Sequence, residues 1–376
     1  MEPLSRSIVR SEARRVVVKA GTSVVTNEDG RPSLVRLGAL VEQISELHRV
    51  GIQVIFVSSG AVGMGKRLLR KQTRLNMSFS ELQNRARSEE EEEEDMMGGH
   101  EGAMTNPVHR VSSFLSFVQR DNRPSSAAEI KKTYDSACAA AGQFEMMNLY
   151  SSLFNQFDVV ASQLLLTQLD FTDPARLTNL RYAVDRLLAA GIIPIINEND
   201  AVSANLGYTQ ADIFSDNDSL AALCARSFHA DVCLLLTDVD GVYDRPPSED
   251  GANLIKFFPA SSLVEIGQKS ARGRGGMQAK INAALSAVQP GSKTFACIVA
   301  SGTDLDSIRA TLHPKYYAAN SYSSNSSNTT TKGTLFVTPG SKLEQLCLEE
   351  INGGKEQVRK TIFWFFSESS FFFHII

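Results

Sequence analysis

The chain has 376 residues, 43% of them hydrophobic and 21% charged, a composition typical of a folded globular protein with a sizeable core. Its formal net charge of −4 shows no excess of basic residues, so we expect no nucleic-acid partner. The five cysteines are odd in number, form no C-x-x-C pair and lie mostly in apolar runs, which predicts reduced thiols rather than a disulfide framework. The arginine-containing N-terminus has no apolar signal core, so it does not predict secretion. Its Ser and Arg content leaves organellar targeting as an alternative, which Glu2 and Glu12 disfavour, and we expect a cytoplasmic protein.

The chain begins with alternating strand and helix patterns. Arg15–Lys19 reads as a β-branched strand that runs into Ala-Gly-Thr-Ser. A lysine at a strand end before glycine and hydroxyl groups is suited to a phosphate, although a surface lysine after an edge strand would look the same. Residues 33–50 have the apolar spacing of an amphipathic helix, and residues 53–58 form a second buried strand. This order predicts a mainly parallel α/β sheet, covered by helices in three αβα layers.

The second strand leads into a glycine-rich stretch at residues 59–67. Backbone N–H groups in such a turn can approach an anion closely. Gly60–Lys66 also fits the first seven positions of a Walker A loop, but Arg67 stands where Ser or Thr would ligate Mg²⁺. The sequence therefore argues against a P-loop.

The periodic pattern stops between Leu69 and Thr133, where an acidic run at residues 89–95 dominates. Little of this segment could bury enough apolar surface to offset ordering, so we expect a disordered insertion in a surface loop. Helix, strand and helix patterns then resume at residues 137–154, 158–167 and 172–190.

Residues 192–196 form a fully apolar strand that ends in Asn-Glu-Asn-Asp, and Asp216–Asp218 forms a second polar cluster before a helix. Carboxylates and a helix N-terminus at the carboxyl edge of a sheet suit a charged substrate with Mg²⁺. The alternative is that Asp216 or Asn217 only caps the helix and residues 197–200 form a solvated turn.

The remaining patterns complete the sheet. An apolar strand at residues 231–237 ends in an acid-and-glycine turn that favours a nucleotide contact over a calcium loop. Gly273–Lys280 is a third glycine-rich stretch, before a helix predicted near Gln278, and it indicates either an anion site or a flexible surface loop. Further strands are predicted at residues 293–300 and 333–337, a helix at residues 305–312 and a low-complexity linker at residues 321–331. The aromatic tail at residues 361–376 is too short and interrupted for a membrane span. An interaction strand, a weak membrane contact and an irregular coding end stay open as its explanations, and for the chain we expect no membrane partner.

The residues fit transfer of a phosphoryl group from ATP to a carboxylate. A carboxylate with a pKa near ~4.3 is already ionised at neutral pH, so the reaction requires no general base. Catalysis then consists of positioning and of neutralising the charge between two anions. Lys19 and Lys280 are the candidates for holding the transferred group, and Asp218 could orient them or take part in Mg²⁺ binding.

Seven segments in order give the chain a strong resemblance to the glutamate 5-kinase family, and a closer one to the kinase half of pyrroline-5-carboxylate synthase. They are VVVKAGTSVVT, VSSGAVGMGK, AAGQFEMMNLYSSLF, IPIINENDAVS, SDNDSLAALCA, LLLTDVDGVY and GRGGMQAK, with GTLF at 333–336 completing them. The resemblance implies an amino-acid-kinase fold over residues 1–340, interrupted at about 70–133, and a tail at 341–376 without a clear match.

The resemblance also implies a reaction, in which ATP and L-glutamate give ADP and L-glutamyl 5-phosphate with Mg²⁺, as the first step of proline biosynthesis. The implied catalytic residues are Lys19, Lys280 and Asp218. The implied glutamate-binding residues are Ser59, Gly60, Ala61, Asp200 and Asn217. The implied nucleotide-binding residues are Lys19, Thr237, Asp238, Arg274, Gly275, Gly276, Met277, Gln278, Ala279 and Lys280. No residue is assigned as a metal ligand, and a homo-oligomer is expected.

The chain departs from the family pattern in three respects, and two alternatives stay open. The insertion lies where the family has a shorter loop tied to substrate closure or proline response, and neither a reductase half nor an RNA-binding-like domain is visible after residue 340. The alternatives are a related kinase acting on N-acetylglutamate, aspartate or carbamate, and a non-catalytic kinase-like subunit. A dinucleotide-dependent oxidoreductase is disfavoured because no G-x-G-x-x-G follows the first strand.

Overall fold

The computed structural model describes residues 3–27, 30–75, 127–203, 214, 216–259, 276–313 and 333–351. The chain divides into two compact units. The first unit comprises Met1–Ser59, Leu149–Glu198 and Tyr208–Ile376, and the second comprises Gly60–Asn148 and Asn199–Gly207.

The first unit contains a sheet with seven strands among the described residues. They are β1 (Arg15–Ala20), β2 (Gln53–Ser58), β3 (Val160–Leu166), β4 (Ile192–Glu198), β5 (Val232–Thr237), β6 (Ala296–Ser301) and β7 (Thr334–Val337). Their order is β3-β4-β2-β1-β5-β6-β7, and every pair is parallel except the antiparallel pair β6 and β7. The predicted α/β class with a mainly parallel sheet is confirmed.

The helices of the described residues are α1 (Leu4–Glu12), α2 (Thr22–Val25), α3 (Leu34–Arg49), α4 (Ala61–Leu75), α5 (Ala127–Asn155), α6 (Leu169–Thr172), α7 (Pro174–Ala189), α8 (Asp200–Ser203), α9 (Asn217–Ser227), α10 (Gly276–Ala287), α11 (Ser307–Leu312) and α12 (Lys342–Ile351).

The topology places β1 at the centre of the sheet and creates a switch point beside it. The chain moves from β1 to β2 on one side and later returns to β5 on the other, so that Lys19 is in register with Val57 and with Leu235. The β-branched Val16, Val17 and Val18 are completely buried, as expected of a strand covered on both faces. Ligands of open α/β sheets bind outside the carboxyl ends of the strands at such a switch point.

Helices cover both faces of this sheet. On one face, α9 and α10 pack against each other and against β5, and their small side chains Ala221, Ala225 and Ala284 allow the close approach. On the other face, α3 packs against β2, and the Tyr150 ring meets Phe56 edge-on at 5.2 Å. This is the predicted three-layer arrangement.

The predicted strands and helices are present in the structure, but some of them begin at other residues than expected. The strand expected at residues 293–300 begins at Ala296, and the helix expected near Gln278 begins at Gly276. The sequence patterns missed α1 and α12, which are joined where Ser5 Oγ donates to Glu350 Oε2 at 2.5 Å. Periodicity could not identify α1 because its buried face includes Arg6 and Arg10, whose guanidinium groups donate to backbone carbonyls.

The predicted insertion at residues 69–133 is helical at both ends, since α4 continues to Leu75 and α5 begins at Ala127. The rest of it lies outside the described residues, as do the linker at residues 321–331 and the tail at residues 361–376. In the part of the chain that the structure describes, no helix is long and apolar enough to cross a bilayer.

Within the second unit, α4 and α5 cross in direct backbone contact. A Cβ atom added to Gly65 would overlap the carbonyl oxygen of Cys138, and one added to Gly142 would overlap that of Ala61. By contrast, a Cβ on Gly63, two residues away in α4, would meet nothing within 4 Å. Glycine at positions 65 and 142 therefore sets the distance between the two helices.

We predict that Gly65→Ala lowers the stability of the protein by about 3 kcal/mol, because the new methyl group meets rigid backbone rather than a side chain that can turn aside. The matched control Gly63→Ala should raise stability by about 0.5–1 kcal/mol, since alanine restricts the unfolded chain and favours helix. Thermal unfolding of both variants measures the difference. Equal transition midpoints for the two variants would contradict the crossing.

Candidate active site

Lys19 lies at the carboxyl end of β1, beside the switch point of the sheet. Its side chain is only 4% exposed, so the interpretation as a surface lysine is wrong. A Cβ on Gly21 would lie 3.2 Å from the Lys19 Nζ atom, and glycine there leaves room around the ammonium group. This use of Gly21 was not predicted, although the Lys-Ala-Gly spacing carries the signal.

In the polar cluster at residues 216–218, Asp216 caps a helix and Asp218 supplies a charged group. Asp216 is the N-cap of α9, where its Oδ1 accepts from the Ser219 N–H at 2.8 Å in a capping box. The capping alternative is thus correct for Asp216 but not for its neighbours. Asp218 stands in the first turn of α9, where the positive end of the helix dipole stabilises a carboxylate.

The Asp218 carboxylate bridges two ammonium groups. Lys19 Nζ lies 2.7 Å from Asp218 Oδ1, and Lys280 Nζ donates to Asp218 Oδ2 at 2.6 Å. The side chains of Asp218 and Lys280 are 6% and 15% exposed, respectively. We call these three residues the ion triad. It unites the three residues that the sequence proposed for catalysis, and both lysines lie on one side of the sheet edge.

Burial is the largest single influence on the pKa values of Lys19 and Asp218 in the ion triad. It lowers the pKa of Lys19, an effect that Asp218 opposes and Lys280 reinforces. Burial alone would raise the pKa of Asp218, but the charges of Lys19 and Lys280 outweigh it and hold that pKa below its usual range. Two ammonium groups and one carboxylate leave one net positive charge at a helix N-terminus, an arrangement that suits phosphate oxygens.

Asn217 connects the start of α9 to the end of β2. Its Nδ2 donates to Ser59 Oγ at 2.9 Å, and its buried Oδ1 has no hydrogen-bond partner among the described residues. Behind Ser59, the hydroxyls of Ser58 and Tyr150 are 2.7 Å apart in the core, a support that no sequence pattern indicated. Asn217 thus offers a free acceptor next to the ion triad.

Thr237 and Asp238 stand at the carboxyl end of β5, the neighbour of β1. Thr237 Oγ1 donates to Asp238 Oδ1 at 2.9 Å, and the Gly302 N–H donates to the Thr237 carbonyl at 2.6 Å. These contacts fix the direction in which the chain leaves β5.

The other predicted site residues are distributed as follows. Gly276, Met277, Gln278 and Ala279 form the first turn of α10 and lead to Lys280. Arg274 and Gly275 lie outside the described residues. Gly60, Ala61 and Asp200 belong to the second unit, where Ala61 and Asp200 begin α4 and α8.

Asp200 has an unusual electrostatic environment within the second unit. Burial and the neighbouring charge of Asp135 raise its pKa. A cation placed beside Asp200 would relieve both effects, because it favours the ionised carboxylate.

The described residues provide no cage for a metal ion. No group of three or more His, Cys, Asp or Glu side chains among them could hold one. Two carboxylates at the start of α9 are engaged, Asp216 as a helix cap and Asp218 by two lysines.

Comparison with known proteins identifies relatives for most of the chain. The model of the amino acid kinase family matches residues 14–298. Delta-1-pyrroline-5-carboxylate synthase of Mesembryanthemum crystallinum is 40% identical over 309 residues, which are 81% of this chain and 36% of that protein. Delta-1-pyrroline-5-carboxylate synthase 2 of Oryza sativa subsp. japonica is 38% identical over 302 residues, 79% of this chain and 35% of its own. Glutamate 5-kinase of Shouchella clausii (strain KSM-K16) is 34% identical over 286 residues, 74% of this chain and 61% of its own.

The chain spans about a third of the length of the two synthases and about three fifths of that kinase. The family match covers the strand-end lysine, both acidic clusters and Lys280. By this match, together with the parallel sheet, the chain belongs to the amino acid kinase family.

Proposed function

We propose that this chain is a glutamate 5-kinase, which transfers the γ-phosphoryl group of ATP to the side-chain carboxylate of L-glutamate in the first step of proline biosynthesis. The names of the relatives support this substrate. The observation that carries the proposal is the ion triad, in which one carboxylate joins the buried Lys19 and the partly buried Lys280 at the carboxyl end of the sheet.

The reaction needs charge neutralisation more than proton transfer. An oxygen of the ionised glutamate side chain forms a bond to the γ-phosphorus, and the bond from that phosphorus to the β–γ bridging oxygen breaks. ADP leaves with the electron pair of that bond, and no proton has to move. The barrier arises because one anion attacks another, so positive groups held in place lower it.

Each member of the ion triad has one role in this scheme. Lys19 and Lys280 contact the phosphate oxygens and neutralise the charge that develops on the transferred group. Asp218 touches no substrate oxygen in this scheme. It holds the two ammonium groups close together in spite of their repulsion, and its position in the first turn of α9 stabilises its own charge.

Glutamate is bound by groups that complement its charges and its hydrogen-bonding atoms. The free Oδ1 of Asn217 accepts a hydrogen bond from the substrate, and Ser59, already bonded to Asn217, contributes its hydroxyl. In the second unit, Asp200 is proposed to meet the substrate ammonium group, which would bring its raised pKa down again. Gly60 and Ala61 are proposed to offer backbone groups.

The nucleotide is proposed to lie along the end of β5 and the start of α10. Thr237 and Asp238 meet the nucleoside, and residues 274–280 approach the phosphates. Mg²⁺ bound to the phosphates of ATP would supply additional positive charge to the leaving ADP. We further propose a homo-oligomer in the cytoplasm, and the five buried free cysteines support a reducing compartment.

We predict glutamate-dependent release of ADP, together with a glutamyl phosphate that hydroxylamine traps as the hydroxamate. Lys280→Met should lower kcat by about 10²–10³-fold, since it removes one positive group from the transferred phosphoryl. The matched control Lys293→Met changes an exposed lysine just before the amino end of β6, away from the site, and should retain full activity.

Folded protein that releases no ADP with glutamate would refute the proposal, as would an unchanged Lys280→Met variant. A panel of N-acetylglutamate, aspartate and carbamate decides between this activity and that of a related kinase. Calorimetric absence of MgATP binding would favour a non-catalytic subunit.

A second prediction concerns pH. Asp218→Asn leaves two buried ammonium groups without their counter-charge and should cost about 3 kcal/mol of unfolding free energy at neutral pH. Because the folded pKa of Asp218 is lowered, its contribution is complete above the ordinary carboxyl pKa of about 3.9 and is lost as pH falls through the folded value. Denaturant titrations at several acidic pH values should show the gap in unfolding free energy between the two proteins narrowing below about pH 4. A gap that is independent of pH would show that Asp218 is not charged in the folded protein.

A further inference from the structure

The hydroxyl of Thr334 is directed at the turn that follows β5. Thr334 begins β7 and is completely buried. Its Oγ1 accepts a hydrogen bond from the Val242 N–H at 2.8 Å and lies 3.5 Å from the Val242 carbonyl oxygen. These are contacts between the last strand of the sheet and a turn 92 residues earlier in the chain.

The turn fits closely against this threonine. Gly241 has a φ of +156°, and a Cβ added there would lie 2.7 Å from Thr334 Oγ1 and 3.0 Å from Thr334 N. Glycine at position 241 therefore allows the backbone to reach the hydroxyl. The Val242 N–H is buried, and the Thr334 hydroxyl is its acceptor at that point.

The strand that carries Thr334 is itself held firmly. The Leu335 N–H donates to the Lys256 carbonyl at 3.0 Å, and the Phe258 N–H donates to the Leu335 carbonyl at 2.9 Å. Arg6 of α1 donates to the carbonyls of Gly333 at 2.8 Å and Lys256 at 3.0 Å. Thr334 is thus a rigid anchor for the turn.

We propose that Thr334 is a positioning residue for the nucleotide, an inference that rests on the proposed function of Thr237 and Asp238. The segment from Thr237 to Val242 is fixed at both ends, by Gly302 N–H at the Thr237 carbonyl and by Thr334 at Val242. Only three residues separate Asp238 from Val242. The Val242 carbonyl also accepts a hydrogen bond from the Ile255 N–H at 2.8 Å. Losing the hydroxyl therefore leaves the Val242 N–H without its acceptor and loosens the segment on its Asp238 side, so the nucleotide contact shifts while the ion triad and Asn217 stay in place.

The decisive variant is Thr334→Val, which keeps the shape of the side chain and removes its hydroxyl. It should raise the Kd for MgATP, measured by calorimetry, and the KM for ATP by about tenfold, while the KM for glutamate changes less than about twofold. Thr334→Ser retains the hydroxyl and should restore the affinity for ATP. Gly241→Ala pushes the same turn away from Thr334 and should reproduce the selective loss, which provides a second test if Thr334→Val does not fold.

The matched control is Thr294→Val. Thr294 is also completely buried, and its hydroxyl donates to the Ala230 carbonyl at 2.9 Å, just before the amino ends of β6 and β5. Thr294→Val should lower the unfolding temperature, as Thr334→Val should. Unlike Thr334→Val, it should leave the affinities for ATP and for glutamate unchanged. A purely structural role of Thr334 predicts the same behaviour for the two valine variants.

The outcomes separate this inference from the proposed function. Unchanged ATP affinity in Thr334→Val or Gly241→Ala overturns the inference, and so does an equal loss for ATP and glutamate. Wild-type protein that binds MgATP but does not phosphorylate glutamate refutes the proposed function alone, because the calorimetric comparison still decides the role of Thr334. Wild-type protein that binds no MgATP overturns both.

Discussion

The active site depends on the contact between one buried carboxylate and two ammonium groups. Ionised groups are costly to remove from water unless each has a partner, and Asp218 gives Lys19 and Lys280 the same partner. The ion triad carries one more positive than negative charge in a poorly hydrated place, and Asp216 adds a weaker attraction to Lys19. That residual charge is a cost to the folded protein without substrate, and it is also what makes the site attractive for a phosphate.

The topology of the sheet determines that these three residues meet. β1 is the strand at which the chain changes direction across the sheet, so Lys19 emerges in the crevice between the ends of β2 and β5. The helices α9 and α10 pack side by side on one face, and each contributes a residue from near its N-terminus. The charges of the site therefore come from strand and helix ends, which the hydrophobic core holds in fixed positions.

The sequence predicted the residue types of the site better than their contacts. Strand-end polarity and glycine content identified Lys19, Asp218 and Lys280, because buried strands and helix entrances have local signatures. The sequence left two roles open for Asp218, orienting the lysines or binding Mg²⁺, and could not decide between them, since residues 218 and 280 meet only through the packing of two helices. The Thr334 hydroxyl had no local signature either, because its partner is 92 residues away. The helix α1 was missed because its buried face includes Arg6 and Arg10 beside the apolar Ile8 and Val9.

The glycine crossing of α4 and α5 has a consequence for the number of residues that can join the two helices. Backbone-to-backbone contact at Gly65 and Gly142 sets where the two helices lie, whatever number of residues joins Leu75 to Ala127. The entropy of closing a connecting segment rises only with the logarithm of its length, by about 0.6 kcal/mol for each doubling. A change in the number of residues between Leu75 and Ala127 should therefore alter the folding free energy only slightly.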